Sequence, residues 1–343
     1  MSNAQTTAAP EAPQAVVAAP GATGDWLTQT ARLMRWNLFQ IWHRTLTRVL
    51  LGVMAGLYLL TLIGVTILLA ASENMTGGPG IIGEQLRTYV TYPQSITTAA
   101  GYITFMGVVM ACIVVGSLVG GEYNNSTQRL ALSRGVGRGQ ALAAQVAAVA
   151  VLSLAVVGGA MLLGLLAGLI IGSVVGGDIG GFSLGGLGQL LGFWGAVSFR
   201  VFDYSLIALF LATLGRSTAA GVGGALGFIV VEPIVVTILT AVVLAQRIAP
   251  FIGRGGLPSA QLNGIGQTLT NIINGFLQTN ANALAQTAQQ GPLPLTPAIS
   301  TDQVQNLIVA PPGGVQAFVV MLVYAAALIG LSYLLVRTRD VTD

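Results

Sequence analysis

The chain has 343 residues, of which 54% are hydrophobic and only 7% charged, and all 14 of its basic side chains are arginine. Without lysine there is no Walker A phosphate loop, whose ammonium must reach the β- and γ-phosphates, so any ATP that drives this protein binds another subunit. With 1 histidine (His43) and 1 cysteine (Cys112), the chain cannot assemble a His/Cys metal cluster, a disulfide or a Cys-His pair, and neither a catalytic nor a cofactor-binding site is expected.

Residues 1–24 are rich in Ala, Pro, Gln and Thr and lack both a basic residue and a continuous apolar core, so they read as a disordered cytosolic tail rather than a signal peptide. Over 25–45 the pattern changes. Leu27, Ala31, Met34, Leu38 and Ile41 recur at helical spacing, with Arg32, Arg35 and Arg44 elsewhere on the surface and Trp26, Trp36 and Trp42 interspersed. This predicts an amphipathic interfacial helix along the inner leaflet; a polar start to a long first span is the plainer alternative.

Residues 46–343 form the membrane domain, an all-α arrangement of six apolar runs of the length that crosses a bilayer: 46–71, 99–120, 141–173, 188–214, 217–245 and 315–336. The third run exceeds one crossing, so it either tilts or continues a cytosolic helix. Ten arginines fall on the side that holds both termini, against Arg87, Arg247 and Arg254 on the other. Positive residues in short loops are retained inside, so both termini and the segment 121–140 are expected to be cytoplasmic. The net charge of +3 is explained by these flanks, and no basic patch interleaved with aromatics suggests nucleic acid.

Between spans five and six lies a long outer loop, 246–313. Within it Leu262, Ile265, Leu269, Ile272, Ile273 and Phe276 predict one amphipathic helix that packs at the outer surface or dips into it. Pro292, Pro294, Pro297, Pro311 and Pro312 predict an extended remainder. Gly116 and Gly120, Gly164, Gly168, Gly172 and Gly176, and Gly223 and Gly227 recur every four residues, a spacing that lets helix backbones approach closely where lipid gives no hydrophobic drive. Structural packing is the default reading of these stripes and a sliding interface the sharper one. Cys112, in an apolar helix, reads as a small core residue.

Three ionisable residues fall within spans: Arg200 and Asp203 in the fourth, and Glu232, followed by Pro233, in the fifth. Such charges cost about 2.5–3.5 kcal/mol on the insertion scale and normally face protein or water with partners. Arg200 and Asp203 share a helix face, and Arg200 and Glu232 are level at about 1.5 Å per residue, which predicts one cluster of the three between adjacent helices. It serves either structure or substrate passage.

The segment 121–140 is a polar island. Asn125 and Gln128 resemble a capping box that starts a short helix through Thr127, Arg129 and Leu130 and ends toward Gly135. Glu122-Tyr123, Thr127, Arg129, Leu132-Ser133-Arg134, Val136 and Arg138 resemble the stretch after the second span in permease subunits of the type 2 ABC exporter family, with Gly135 where that family often has proline. Gly215-Arg216-Ser217 and Glu232-Pro233 are similar to the same family. The resemblance covers the layout of the whole chain.

It implies a membrane-spanning permease subunit of an ATP-driven exporter in the plasma membrane. The island would then be a coupling helix seated in a groove of a separate cytosolic ABC ATPase, contacted through Glu122, Tyr123, Thr127, Arg129, Leu130, Leu132, Ser133, Arg134 and Arg138. ATP and Mg would sit on that ATPase and no cofactor on this chain. A second permease subunit, in a homo- or heterodimer, would complete the path. Two other classes stay open: a secondary transporter, although no internal repeat is seen, and a non-transporting membrane anchor of a larger complex.

Overall fold

A computed structural model describes residues 26–76, 81–124, 137–175, 184–253, 264–295 and 309–338. Among them there are helices and no strands: α1 (Trp26–His43), α2 (Thr45–Thr76), α3 (Ile81–Val90), α4 (Gln94–Tyr102), α5 (Val108–Asn124), α6 (Arg138–Val175), α7 (Leu184–Gly215), α8 (Thr218–Gly253), α9 (Gly264–Ile273), α10 (Leu277–Gln289) and α11 (Gly314–Thr338). A single π-helical segment, Ile103–Gly107, joins α4 to α5, so the two form one span. Among the described residues six helices are long and apolar enough to cross a membrane, and the chain is a multi-pass membrane protein.

The spans are not equivalent. In the second (α4–α5) and fourth (α7), 67% of the most apolar stretch is buried, against 28% in the third (α6) and fifth (α8) and 17% in the first (α2) and sixth (α11). Spans two and four therefore form the centre, and the others turn most of their apolar surface outward. The second span begins at Gln94 rather than near 99. Its first turn carries Gln94, Ser95 and Thr97, all buried, and Thr97 Oγ1 donates to the Gln94 carbonyl at 2.8 Å, so the polar start is absorbed into the packed helix.

Two of the glycine stripes are where backbones meet. A Cβ built on Gly120 would lie 2.5 Å from Thr218 Cα, and one on Gly116 would lie 2.8 Å from the Val222 nitrogen, so α5 and α8 touch main chain to main chain. On the α8 side the close residue is Gly221, not Gly223 or Gly227, which face open space. Gly164 and Gly168 receive α4: a Cβ there would meet the Ser95 carbonyl at 2.7 Å and Ser95 Oγ at 2.0 Å, whereas Gly172 faces nothing. Spacing alone finds the stripe; the facing helix decides which of its glycines matter.

The turn between the fourth and fifth spans is two residues long. Arg216 adopts the left-handed region at φ 48°, and Ser217 Oγ accepts from the Ala220 N–H at 3.1 Å, capping α8. At the same end of the bundle Asn124 Nδ2 donates to Thr218 Oγ1 at 3.3 Å, and Arg138 Nη1 donates to the Val336 and Arg337 carbonyls at 3.3 and 3.4 Å. The termini of spans two through six thus meet on one side of the molecule.

Helix α1 lies against the start of α6, where Gln140 Nε2 donates to the Trp26 carbonyl and to Gln29 Oε1 at 3.3 and 3.1 Å. Its inward face differs from the expected stripe. Ile41 is buried and Met34 and Leu38 are half-buried, but Leu27 and Ala31 are exposed and the polar Asn37 is buried. Where α1 meets Gln140 of α6 its inward residue is the polar Gln29, not an apolar one. At 38 residues α6 is about 57 Å long, well beyond a ~30 Å hydrocarbon core, and its first turns carry these polar contacts.

Candidate functional site

The described part of the segment between α8 and α11, residues 264–295, does not stay at the surface. One helix was expected over 262–276 with an extended remainder, but the described residues form two helices, α9 and α10, joined by the turn Asn274-Gly275-Phe276. The correction has a local cause: Asn-Gly is a turn signal, and the segment after it, Leu-Gln-Thr-Asn-Ala-Asn-Ala-Leu-Ala-Gln-Thr-Ala-Gln, is helix-competent though scarcely apolar. Helix α9 packs along α8, and α10 packs between α7 and α11.

The depth of the turn follows from what it touches. Arg200 Nη1 donates to Asn282 Oδ1 in the first half of α10, and Arg200 lies 16 residues from the start of α7 at Leu184, about 24 Å along the helix. The far end of α10 is held near that start, where Gln189 Nε2 donates to the Gln289 and Leu293 carbonyls at 2.5 and 3.0 Å and Gln189 Oε1 accepts from the Leu293 N–H at 2.8 Å. Helices α9 and α10 therefore form a re-entrant hairpin whose turn sits near mid-span.

Irregular backbone at that depth must be satisfied by protein, and it is. Asn280, fully buried, donates through Nδ2 to the Asn274 and Phe276 carbonyls at 2.8 and 2.7 Å. Tyr324 on α11 donates to the Gly275 carbonyl at 3.1 Å. The first N–H groups of α10 have no side-chain cap of their own, since the N-cap residue is Phe276. Glu232 of the fifth span supplies it: Oε1 accepts from the Gln278 N–H at 2.8 Å. A carboxylate at a helix N-terminus answers both the unpaired donors and the positive end of the helix dipole.

The other carboxylate oxygen, Glu232 Oε2, accepts from the Tyr204 hydroxyl at 2.5 Å. The Arg200 guanidinium lies 5.9 Å from the centroid of the same Tyr204 ring, within cation–π range. Tyr204 thus stands between the arginine and the glutamate, and its own carbonyl accepts from the buried Cys112 thiol at 3.3 Å.

Arg200 and Glu232 are brought to one place, but through Tyr204 and α10 rather than as an ion triad. Asp203 is not engaged: it is fully buried, and neither carboxylate oxygen has a hydrogen-bond partner. Sharing a face three residues apart does not make a pair here because the guanidinium reaches toward Asn282 instead. Sequence reading missed Tyr204, Gln278, Asn280, Asn282 and Tyr324. The Asn- and Gln-rich run at 274–282 was the available signal, since so many amides beside six apolar spans need partners.

No protein-family model matches the chain, and no curated protein is significantly similar to it in sequence.

Of the expected coupling residues, Glu122 Oε2 accepts from Gln145 Nε2 at 2.7 Å, Tyr123 is half-buried against the main core, and Arg138 holds the end of α11. Thr127, Arg129, Leu130, Leu132, Ser133 and Arg134, with the capping pair Asn125 and Gln128, lie outside the described residues. Among the described residues no three His, Cys, Asp or Glu side chains come together to hold a metal.

Proposed function

We propose that this chain is the membrane-spanning permease subunit of an ATP-driven exporter of the type 2 ABC family, working with a second permease subunit and a separate cytosolic ATPase. The observation that carries this reading is the polar island 121–140, whose residues resemble the coupling segment of that family. Its two flanks are fixed: Glu122 to α6, Asn124 to the start of α8, and Arg138 to the end of α11. A segment clamped at both ends to three different spans is suited to pass a push from a partner into the bundle. The excess of arginine on this side supports placing it, with both termini, in the cytoplasm and the protein in the plasma membrane.

The re-entrant hairpin gives a secondary transporter its one specific support, because half-helix N-termini at mid-membrane build substrate sites in such proteins. A transporter of that class would need no ATPase, so the two readings separate on one experiment. Replacing Arg129 and Arg134 together by glutamine is expected to reduce copurification with the ATPase and to uncouple ATP hydrolysis from transport at least ten-fold, the loss expected when charged contacts at an interface rim and the positioning of a docking element go together. The membrane fold should be retained. Unchanged ATPase association and unchanged transport in this variant would reject the coupling role.

A further inference from the structure

Helix α1 carries an exposed face of unusual makeup. Trp36 (57% exposed), Phe39 (52%) and Trp42 (63%) all point away from the bundle. Trp36 stacks on Phe39 with centroids 6.0 Å apart, and Phe39 on His43 at 3.9 Å, so the rings form a continuous ridge along the helix. Arg32 and Arg35 are exposed beside that ridge. The next two arginines are already used: Arg44 Nη1 donates to Ser117 Oγ at 3.5 Å and Arg48 Nε to the Trp42 carbonyl at 3.0 Å. No acidic residue occurs from Trp26 to Ala71.

Only Arg44 separates α1 from the first span, which starts at Thr45, so the face sits where the hydrocarbon begins. Aromatic rings of this kind settle at the boundary between headgroups and acyl chains, and guanidinium groups pair bidentately with phosphate. With two free arginines and no carboxylate, the face is complementary to negative charge.

We propose that this face is a docking surface for anionic phospholipid headgroups, with Arg32 and Arg35 as the charge-reading residues and Trp36, Phe39 and Trp42 as the wedge. The inference goes beyond the transport reading and does not depend on it: a permease, an anchor or a secondary transporter could each carry such a face.

The chain has 4 tryptophans, three of them on α1, which makes the face its own reporter. The fourth, Trp194, is removed as Trp194→Phe. The full-length protein is reconstituted into bilayers of equal parts phosphatidylglycerol and phosphatidylcholine, with bromine on one lipid or on the other, so that total charge is the same in both samples. Tryptophan emission should be quenched more by brominated phosphatidylglycerol. The enrichment expected is about five-fold per arginine, equivalent to roughly 1 kcal/mol each, and it should fade at high salt. Arg32→Gln with Arg35→Gln should bring the two quenching curves together, and Arg32→Lys with Arg35→Lys should keep them apart. Equal quenching by the two lipids in the parent protein would overturn the proposal and leave an interfacial helix indifferent to charge. Quenching by neither lipid would also overturn it and point to a protein occupant.

Discussion

Replacing Glu232 by alanine is expected to cost about 3–5 kcal/mol of stability, because it strands the buried Tyr204 hydroxyl and the Gln278 N–H and removes the negative charge that faces Arg200. Glu232→Gln should cost only about 1–2 kcal/mol, since the amide oxygen still accepts one of the two bonds. The comparison that gives the test its force is Asp203→Asn. Asp203 is as deeply buried but has no partner to lose, so this change should leave stability within about 1 kcal/mol or raise it. Reversible unfolding in mixed micelles measures all three variants. An Asp203→Asn cost equal to that of Glu232→Ala would mean that the charge centre lies on α7 alone and that α10 is not capped from α8.

The second large effect is steric. A methyl group at Gly120 would sit 2.5 Å from Thr218 Cα, and neither element can yield, because Thr218 begins α8 directly after the two-residue turn at Arg216. Gly120→Ala should therefore destabilise by about 1–3 kcal/mol and Gly120→Val by more, the range seen when close-packed interiors are overfilled. Gly223→Ala is the matched control: it lies in the same kind of stripe with nothing within 4 Å, so alanine there should be neutral or slightly favourable. If Gly120→Ala unfolds at the parent midpoint, α5 and α8 do not approach backbone to backbone.

The layout of the fold was legible because hydrophobic length is a strong signal: all six spans appear within a few residues of where the apolar runs place them. Start points were less legible, as at Gln94, where polar residues join a span by bonding to their own helix. Half of the intramembrane site was also legible, since Arg200 and Glu232 stand out by cost alone. The other half was not. Tyr204, Asn280 and Tyr324 are ordinary residues until the re-entrant turn gives them bare carbonyls and a bare carboxylate to meet, and that turn depends on contacts among four helices. The Asp203 expectation failed for a related reason: spacing along one helix says that two side chains can meet, not that a third residue will not attract one of them first.

The re-entrant hairpin also constrains how the protein is made. Helix α10 is too polar to partition into lipid unaided: it contains three glutamines, two asparagines and two threonines. Asn280 ties the turn from within the hairpin, but the groups that hold it to the bundle belong to other spans, and one of them, Tyr324, is on α11, which emerges from the ribosome after the hairpin. On the proposed topology the hairpin is expected to cross the membrane first and to seat fully only when the sixth span is in place, so that integration is not simply sequential from the N-terminus. A cysteine at position 279 should react with an impermeant thiol reagent in chains truncated before residue 314 and become shielded in the complete protein. Equal shielding in both would show that the hairpin seats without α11.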